Sequence, residues 1–359
     1  MELFFNNGGG NCYVLSIGSY ANAITNGISK ADYTNCFETL EQHAEPTIVV
    51  MPDAVLLDAA DWKSVSQQAL RHCQTMQSRI AILDVWHGYY SPDRTATDPI
   101  QGTDGKSGFY AIDGLGEEFN KYGAVYYPWI NTNIVAQNSI DFTWISAATF
   151  SHFASDMDNE ASTVIFPPVN SQTNPQLAAY QNVLARMVPP PPDELNDPDT
   201  LLAVDEVHKT LNNLSPLYMQ TMANLCASVN LMPPSSAMAG VYTRNDNSFG
   251  VFYSPANTTI VNAVSPAVSL SDSQQSDLNA PLNGLAVNAI RIFPDYGLLV
   301  WGARTLAGNS DEWRYISVCR TVIMLKQSIK YAMQPYVFGS NDSITWTAVQ
   351  SMIASFLQE

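Results

Sequence analysis

Residues 46–86 read PTIVVMPDAVLLDAADWKSVSQQALRHCQTMQSRIAILDVW, and this stretch decides the fold class. PTIVVMPDA (46–54) is a continuous apolar run closed by proline and aspartate, the pattern of a strand buried on both faces. ADWKSVSQQALRHCQTMQ (60–77) is amphipathic at helical spacing, with Trp62, Val65, Ala69, Leu70, Cys73 and Met76 on one stripe. RIAILDVW (79–86) is a second buried run. Strand, helix and strand in this order predict a parallel βαβ unit and an α/β layered core.

Upstream, GNCYVLSIG (10–18) alternates with period two and predicts a strand, Cys12, Val14 and Ser16 facing one way and Tyr13, Leu15 and Ile17 the other. The preceding NNGGG predicts a tight turn through Gly8, Gly9 and Gly10 that delivers the strand into the sheet. A helix is expected over 32–43. Downstream, SPDRTATDPIQGTDGKSG (91–108) is a polar loop, and GAVYYPWI (123–130) a strand that ends at Pro128. The character then changes. Residues 136–235 carry helical patterns at 141–154, 175–187 and 200–231, split by Pro167-Pro168 and by the PPPP run at 189–192. That run and the acidic DELNDPDT after it form a stiff, exposed connector. From 236, AGVYTRND and GVFYSPAN read as strand and turn. NAIRIFPDYGLLVWGARTL (288–306) is a hairpin around Pro294-Asp295-Tyr296-Gly297. Helices follow over 311–334 and 343–357, the second capped at Asp342 and Ser343. Apolar positions Ile344, Val349, Ile353, Phe356 and Leu357 continue to the end of the sequence, which suggests a piece of a longer protein. The expected organisation is a core in two parts, 1–135 and 236–359, around a mostly helical, proline-punctuated insertion at 136–235 on the outer surface.

Charge narrows the function. The chain has 33 acidic and 16 basic residues, a net charge of −17. No basic footprint for nucleic acid is present. Charged residues make up only 14%, against roughly 25% in ordinary soluble domains, which suits a surface covered by other chains and equally a secreted protein. No apolar run reaches membrane-spanning length, and MELFFNNGGG lacks the basic start of a signal peptide. The five cysteines, at 12, 36, 73, 226 and 319, form no CxxC pair. They read as small buried hydrophobes, with no disulfide framework or zinc site.

Tests for catalysis fail. GTDGKSG (102–108) lacks the glycine five residues before Gly105 and the strand that a phosphate-binding loop requires. The opening Gly8-Gly9-Gly10 precedes a strand, whereas the dinucleotide fingerprint follows one. None of the five histidines makes an HxH, HxxH or HExxH pattern. The sharpest enzyme reading is a hydrolase-like pair, Asp84 and His87, at the end of a parallel strand, where α/β enzymes place catalysts. No G-x-S-x-G elbow supports it. No cofactor is expected, and the aromatic stretches YYPW (126–129) and WGARTL (301–306) read as packing rather than a sugar site.

A set of phrases carries a resemblance. SAMAGVYTRND (236–246), GVFYSPAN (250–257), LNGLAVNAIRIFPDYGLLVWGARTL (282–306), DEWRYISVCRTVIMLKQSIKYAMQPYVFGSND (311–342) and WTAVQSMIASFL (346–357), with LFFNNGGGNCYV and GAVYYPWI upstream, resemble the sheath proteins of contractile phage tails and related contractile injection systems. The likeness covers 3–18, 45–85, 109–130 and 236–357, and not 136–235. It implies a non-enzymatic subunit that stacks in hexameric rings around an inner tube and contracts when a baseplate triggers it. The implied partners are copies of itself, the inner tube protein, and baseplate and terminator proteins, with no nucleic acid and no membrane insertion. Assembly would occur in the bacterial cytoplasm, the product being a phage tail or a contractile particle, including one released from the cell. The resemblance also implies a core fragment lacking terminal extensions that, between neighbouring subunits, complete a small β-sheet. Another tail component, of tube or baseplate, is the structural alternative. Arg304, Arg314 and Arg320 stand out near Trp and Tyr in an acidic chain. They suit either an intramolecular carboxylate pair holding hairpin to helix, or an inter-subunit pair that changes partner on contraction.

Overall fold

A computed structural model of the chain describes residues 1–18, 27–93, 95–102, 108–112, 114–170, 172, 174–191, 194 and 197–358. Residues 103–107 of the GTDGKSG loop, residues 192, 193, 195 and 196 of the acidic connector, and Glu359 lie outside the described residues. The chain divides into two compact units, Met1–Ile130 with Pro233–Glu359, and Asn131–Met232.

The strands in chain order are β1 (Ile48–Val50), β2 (Ile80–Asp84), β3 (Gly123–Tyr127), β4 (Ile130–Thr132), β5 (Leu231–Met232), β6 (Thr258–Thr259), β7 (Ala263–Pro266), β8 (Asn288–Phe293) and β9 (Gly297–Trp301). The first unit is built on a six-stranded sheet of order β1-β2-β3-β8-β9-β6. β1, β2, β3 and β8 run parallel, in register Ile48↔Ile80, Ala81↔Gly123 and Tyr126↔Asn288. β9 returns antiparallel to β8, and β6 pairs antiparallel with β9. This is the α/β core that residues 46–86 predict. β1 stops at Val50, because Pro52 has no N–H for a ladder and opens a 3-10 turn, Pro52–Leu56.

The helix Ala59–Met76 starts where the Asp58 carboxylate accepts from Asp61 N at 2.8 Å. It ends at Gln77, in the left-handed region. Trp62, Val65, Ala69, Leu70 and Cys73 are buried in the core that also holds Ala81, Leu83, Val125 and Tyr127. Each such large side chain contributes roughly 1.5–3 kcal/mol before ordering costs. The β8–β9 hairpin turns at 294–296 with Asp295 at φ 70° and Gly297 at φ 75°.

Three expectations are corrected. Residues 12–17 form no strand. Residues 12–16 are exposed, Val14 at 70%, and the half-buried Ile17 alone packs against the core. The turn before them belongs to a helix end: Glu2–Asn6 is helical, Gly8 N and Gly9 N donate to Phe5 O and Phe4 O at 3.0 and 2.9 Å, and Gly8 sits at φ 100°. Second, AGVYTRND (239–246) is no strand but part of the helix Ser235–Phe249, closed by Gly250. Val241, Tyr242 and Thr243 favour strands locally. Tertiary packing overrides that, since Ala237, Met238, Ala239, Gly240, Val241 and Tyr242 are all buried. GVFYSPAN makes turns, not a strand. Third, Cys12 is exposed and Cys36 and Cys226 are half-buried. Only Cys73 and Cys319 are buried, where the apolar surroundings push their thiols up to about 12.

The N-terminal helix docks through glycine. A Cβ on Gly240 would lie 2.3 Å from Phe4 O and 2.8 Å from Asn7 Cβ. Gly240→Ala therefore displaces residues 1–9 and destabilises by about 1–3 kcal/mol, read as a lower Tm and faster proteolysis near residue 10. An unchanged Tm would show that the contact adjusts without cost.

The second unit is helical, with its own core of Ile140, Phe142, Met157, Tyr180, Val207, Leu211, Tyr218 and Met222. Its helices are Ala147–Glu160, Pro175–Arg186, Pro198–Leu214 and Pro216–Val229. The first begins six residues later than expected, after a 3-10 turn at Phe142–Trp144 held by Asp141. The single helix expected over 200–231 is broken at Ser215-Pro216. Proline cannot donate into the preceding turn, and the Ser215 hydroxyl caps the new helix by accepting from Tyr218 N at 3.0 Å.

Candidate assembly surface

The two residues of the enzyme reading lie at the C-terminal end of β2, and each has a different partner. Asp84 is 4% exposed. Its carboxylate accepts from Ser235 N at 2.8 Å and from the Ser235 hydroxyl, so it clamps the first turn of Ser235–Phe249. An anion at a helix N-terminus is favourable there. Ser235 is fully buried at 0% and out of reach of a substrate. His87 adopts φ 53° and stacks on Trp86, ring centroids 3.6 Å apart, with Tyr89 and Tyr90 beside it. The Trp129 indole donates to Val85 O at 2.9 Å, and Tyr127 OH donates to Tyr90 O at 2.6 Å. Packed aromatics thus fill the strand ends. Among the described residues, no three His, Cys, Asp or Glu side chains converge as a metal site, and no helix is long and apolar enough to cross a membrane.

The three arginines take three positions. Arg320, on the helix Ile316–Ala332, is 6% exposed. It forks onto Asp246 of the Ser235–Phe249 helix, Nη1 donating to Oδ1 at 2.7 Å and Nη2 to Oδ2. Its guanidinium lies 5.0 Å from the Tyr242 ring, and Tyr242 OH meets Tyr126 OH at 2.8 Å. This pair is internal and joins helix to helix. Arg314 pairs with the exposed Asp311 and donates from Nε to Ser310 O at 2.7 Å. Arg304 reaches only a carbonyl, Asn279 O at 2.9 Å, and lies over Tyr315. Among the described residues no carboxylate pairs with it. The structure brings Arg304 and Arg314 to one corner, where Thr305 N donates to Arg314 O at 2.9 Å, and sends Arg320 into the core.

Two further features escape the sequence patterns. Asn7 is buried, donating to Leu3 O and Val261 O and accepting from Val261 N at 2.8 Å. Asn288 likewise bridges Val125 O and Arg304 O, at 3.0 and 2.8 Å. Both stitch distant segments of one unit, and the phrases that contain them do not reveal those partners. A third feature lies in a segment whose helical pattern is legible in the sequence. The helix Ser343–Gln358 reads SITWTAVQSMIASFLQ, contains no charged residue, and has no buried residue. Trp346 is 61% exposed and the preceding Phe338 is fully exposed at 100%. Met333, Val337, Trp346, Val349, Ile353 and Leu357 line an open apolar groove along it. An apolar surface of this kind marks an interaction site rather than a solvated face.

No family model and no curated protein matches the chain. Its likeness is to solved structures. A chain of the anti-feeding prophage baseplate, six-fold symmetrised, aligns with 99% of this chain and 63% of its own length, at 22% identity and a TM-score of 0.55. A chain of the same prophage's helical sheath in the contracted state aligns with 99% of this chain and 64% of its own, at 22% identity and a TM-score of 0.54. A shorter match covers 36% of this chain and 35% of a chain in the contracted sheath complex of an extracellular contractile injection system, PVC, at 39% identity and a TM-score of 0.34. This chain therefore has the fold of sheath and baseplate chains of contractile particles, and spans under two thirds of the length of the two that it matches from end to end.

Proposed function

We propose that this chain is a structural subunit of a contractile sheath, with no catalytic activity. In this reading copies of it stack as hexameric rings around an inner tube, joined by the tube protein, a baseplate and a terminator. The particle is built in a bacterial cytoplasm and acts as a phage-tail-like injection device. The observation that carries it is the alignment of 99% of the chain with a helical sheath chain. The filled strand ends support it, because an α/β enzyme needs that crevice open.

Mechanically, such a subunit does work by exchanging one set of neighbour contacts for another. The free energy comes from the difference between two packings of a rigid body, so no nucleotide is needed. The internal Arg320–Asp246 pair suits the rigid body. Arg304, with only a carbonyl and a tyrosine ring as partners, is free to take a carboxylate from a neighbour. The insertion 136–235 would face outward, where labels on an assembled particle would reach it.

Electron microscopy of the native full-length protein, expressed together with its inner tube, tests this. Striated hollow tubes are expected. The absence of any ordered polymer at high concentration would end the sheath reading. The baseplate match is equally extensive, and it favours a second reading in which the chain closes one end of a particle. Isolated discs in place of tubes would support that reading.

A further inference from the structure

We propose that the apolar groove along Ser343–Gln358, with the lysines beside it, docks onto the acidic surface of a second copy of this chain. The inference rests on the self-assembly reading and names the surface that would serve it. Charge is split along the sequence. Residues 313–358 hold four cations, Arg314, Arg320, Lys326 and Lys330, against one carboxylate, Asp342. Residues 1–312 hold 12 cations against 31 carboxylates. Two copies of so acidic a chain repel each other across most of their surfaces. They can approach where one copy presents cations or no charge at all, and the C-terminal helices do both.

The stripe is continuous. Lys326, Lys330 and Met333 follow at i, i+4 and i+7 and share one helix face, which leads into the groove wall at Val337. Both lysines are exposed, and among the described residues neither has a carboxylate partner. Two like charges one turn apart slightly destabilise the helix on their own, which an external acid would reverse. The fitting face on the second copy is acidic. On Lys30–Glu41 and the turns after it, Asp32, Glu38, Glu41, Glu45, Asp53 and Asp58 outnumber Lys30, which already faces Asp61. The lysines set orientation and on-rate, and the groove supplies apolar burial.

Sedimentation velocity of the whole chain at low and high salt tests this, with Lys326→Glu/Lys330→Glu and Val349→Glu/Ile353→Glu as variants. Circular dichroism and Tm confirm that each remains folded. The charge reversal should weaken association about tenfold or more at low salt and much less at high salt. The groove variant should abolish it at both. Phe338→Cys should react with a thiol reagent in dilute chain and be protected in the assembled one. If the wild type associates and both variants match it, this surface is wrong and the self-assembly reading stands. If the wild type never associates, both fall. Protection of position 338 in dilute monomer would show that the groove is filled from within its own chain, which also overturns the assignment.

Discussion

Arg320→Ala should lower the unfolding free energy by about 3–5 kcal/mol. The cost is not the value of the ion pair. It comes from leaving the Asp246 carboxylate, only 22% exposed, without the guanidinium that holds both its oxygens. Tyr242 also loses the cation over its ring and the packing of the arginine stem, and Tyr242 reaches Tyr126 inside the sheet. Against a total of roughly 5–15 kcal/mol for a domain, the variant would fold only marginally. The double variant Arg320→Met/Asp246→Leu removes both charges and should recover most of the loss, because a packed apolar pair is often as stable as a buried ionic one. Urea unfolding of the three proteins decides the matter. A loss under about 1 kcal/mol for Arg320→Ala would mean that water reaches Asp246 and replaces the arginine.

Which features are legible in the sequence follows from how local their causes are. The βαβ unit of 46–86 is written in adjacent residues: two apolar runs and one helical stripe, with Asp58 as the cap. The β8–β9 hairpin is equally local, because Asp295 and Gly297 supply the left-handed conformations its turn needs. The helix Ser235–Phe249 is not local. Positions 237–242 are buried in succession, so they show no amphipathic stripe, and its first turn is clamped by a carboxylate 151 positions away in sequence. The segment 12–17 fails in the opposite sense: its alternation is real, yet among the described residues no backbone pairs with it as a strand. Asp84 was visible as a strand-end carboxylate, but its partner was not, and that partner turns a catalytic candidate into a helix clamp. Arg320 shows the same limit. The spacing around EWRYISVCR marks a rare cation, whereas only the packed helices reveal that Asp246 meets it. The uncharged helix Ser343–Gln358 was legible as a helix. Its exposure was not, since an apolar stripe in sequence looks the same whether covered or bare.

Asp84 gives the unit an unusual pH dependence. Burial pushes its carboxyl up to about 7, and the two hydrogen bonds from Ser235 restrain that rise. Two effects compete. The helix N-terminus favours the charged form by roughly 0.3–2 kcal/mol, while removal from water penalises it more heavily. With the folded pKa above the ordinary unfolded value, the folded state holds the proton more tightly. The favourable contribution is thus fully present below about pH 4, and it is lost as pH rises through about 7. Stability should therefore fall by up to about 1.4 kcal/mol per pH unit across that window through this one group. This is the opposite of a salt-bridged carboxylate. Asp84→Asn keeps an acceptor for Ser235 N and carries no charge, so its stability should be nearly flat where the wild type declines, and should exceed the wild type at pH 8. Asp84→Ala strands the Ser235 amide and hydroxyl in a dry site and should lie about 1–3 kcal/mol below Asp84→Asn at every pH. The difference between wild type and Asp84→Asn, measured by urea unfolding from pH 4 to 8, cancels the other titrating groups. Equal slopes for the two proteins would mean that Asp84 stays charged in the fold and that the dipole of Ser235–Phe249 outweighs its burial.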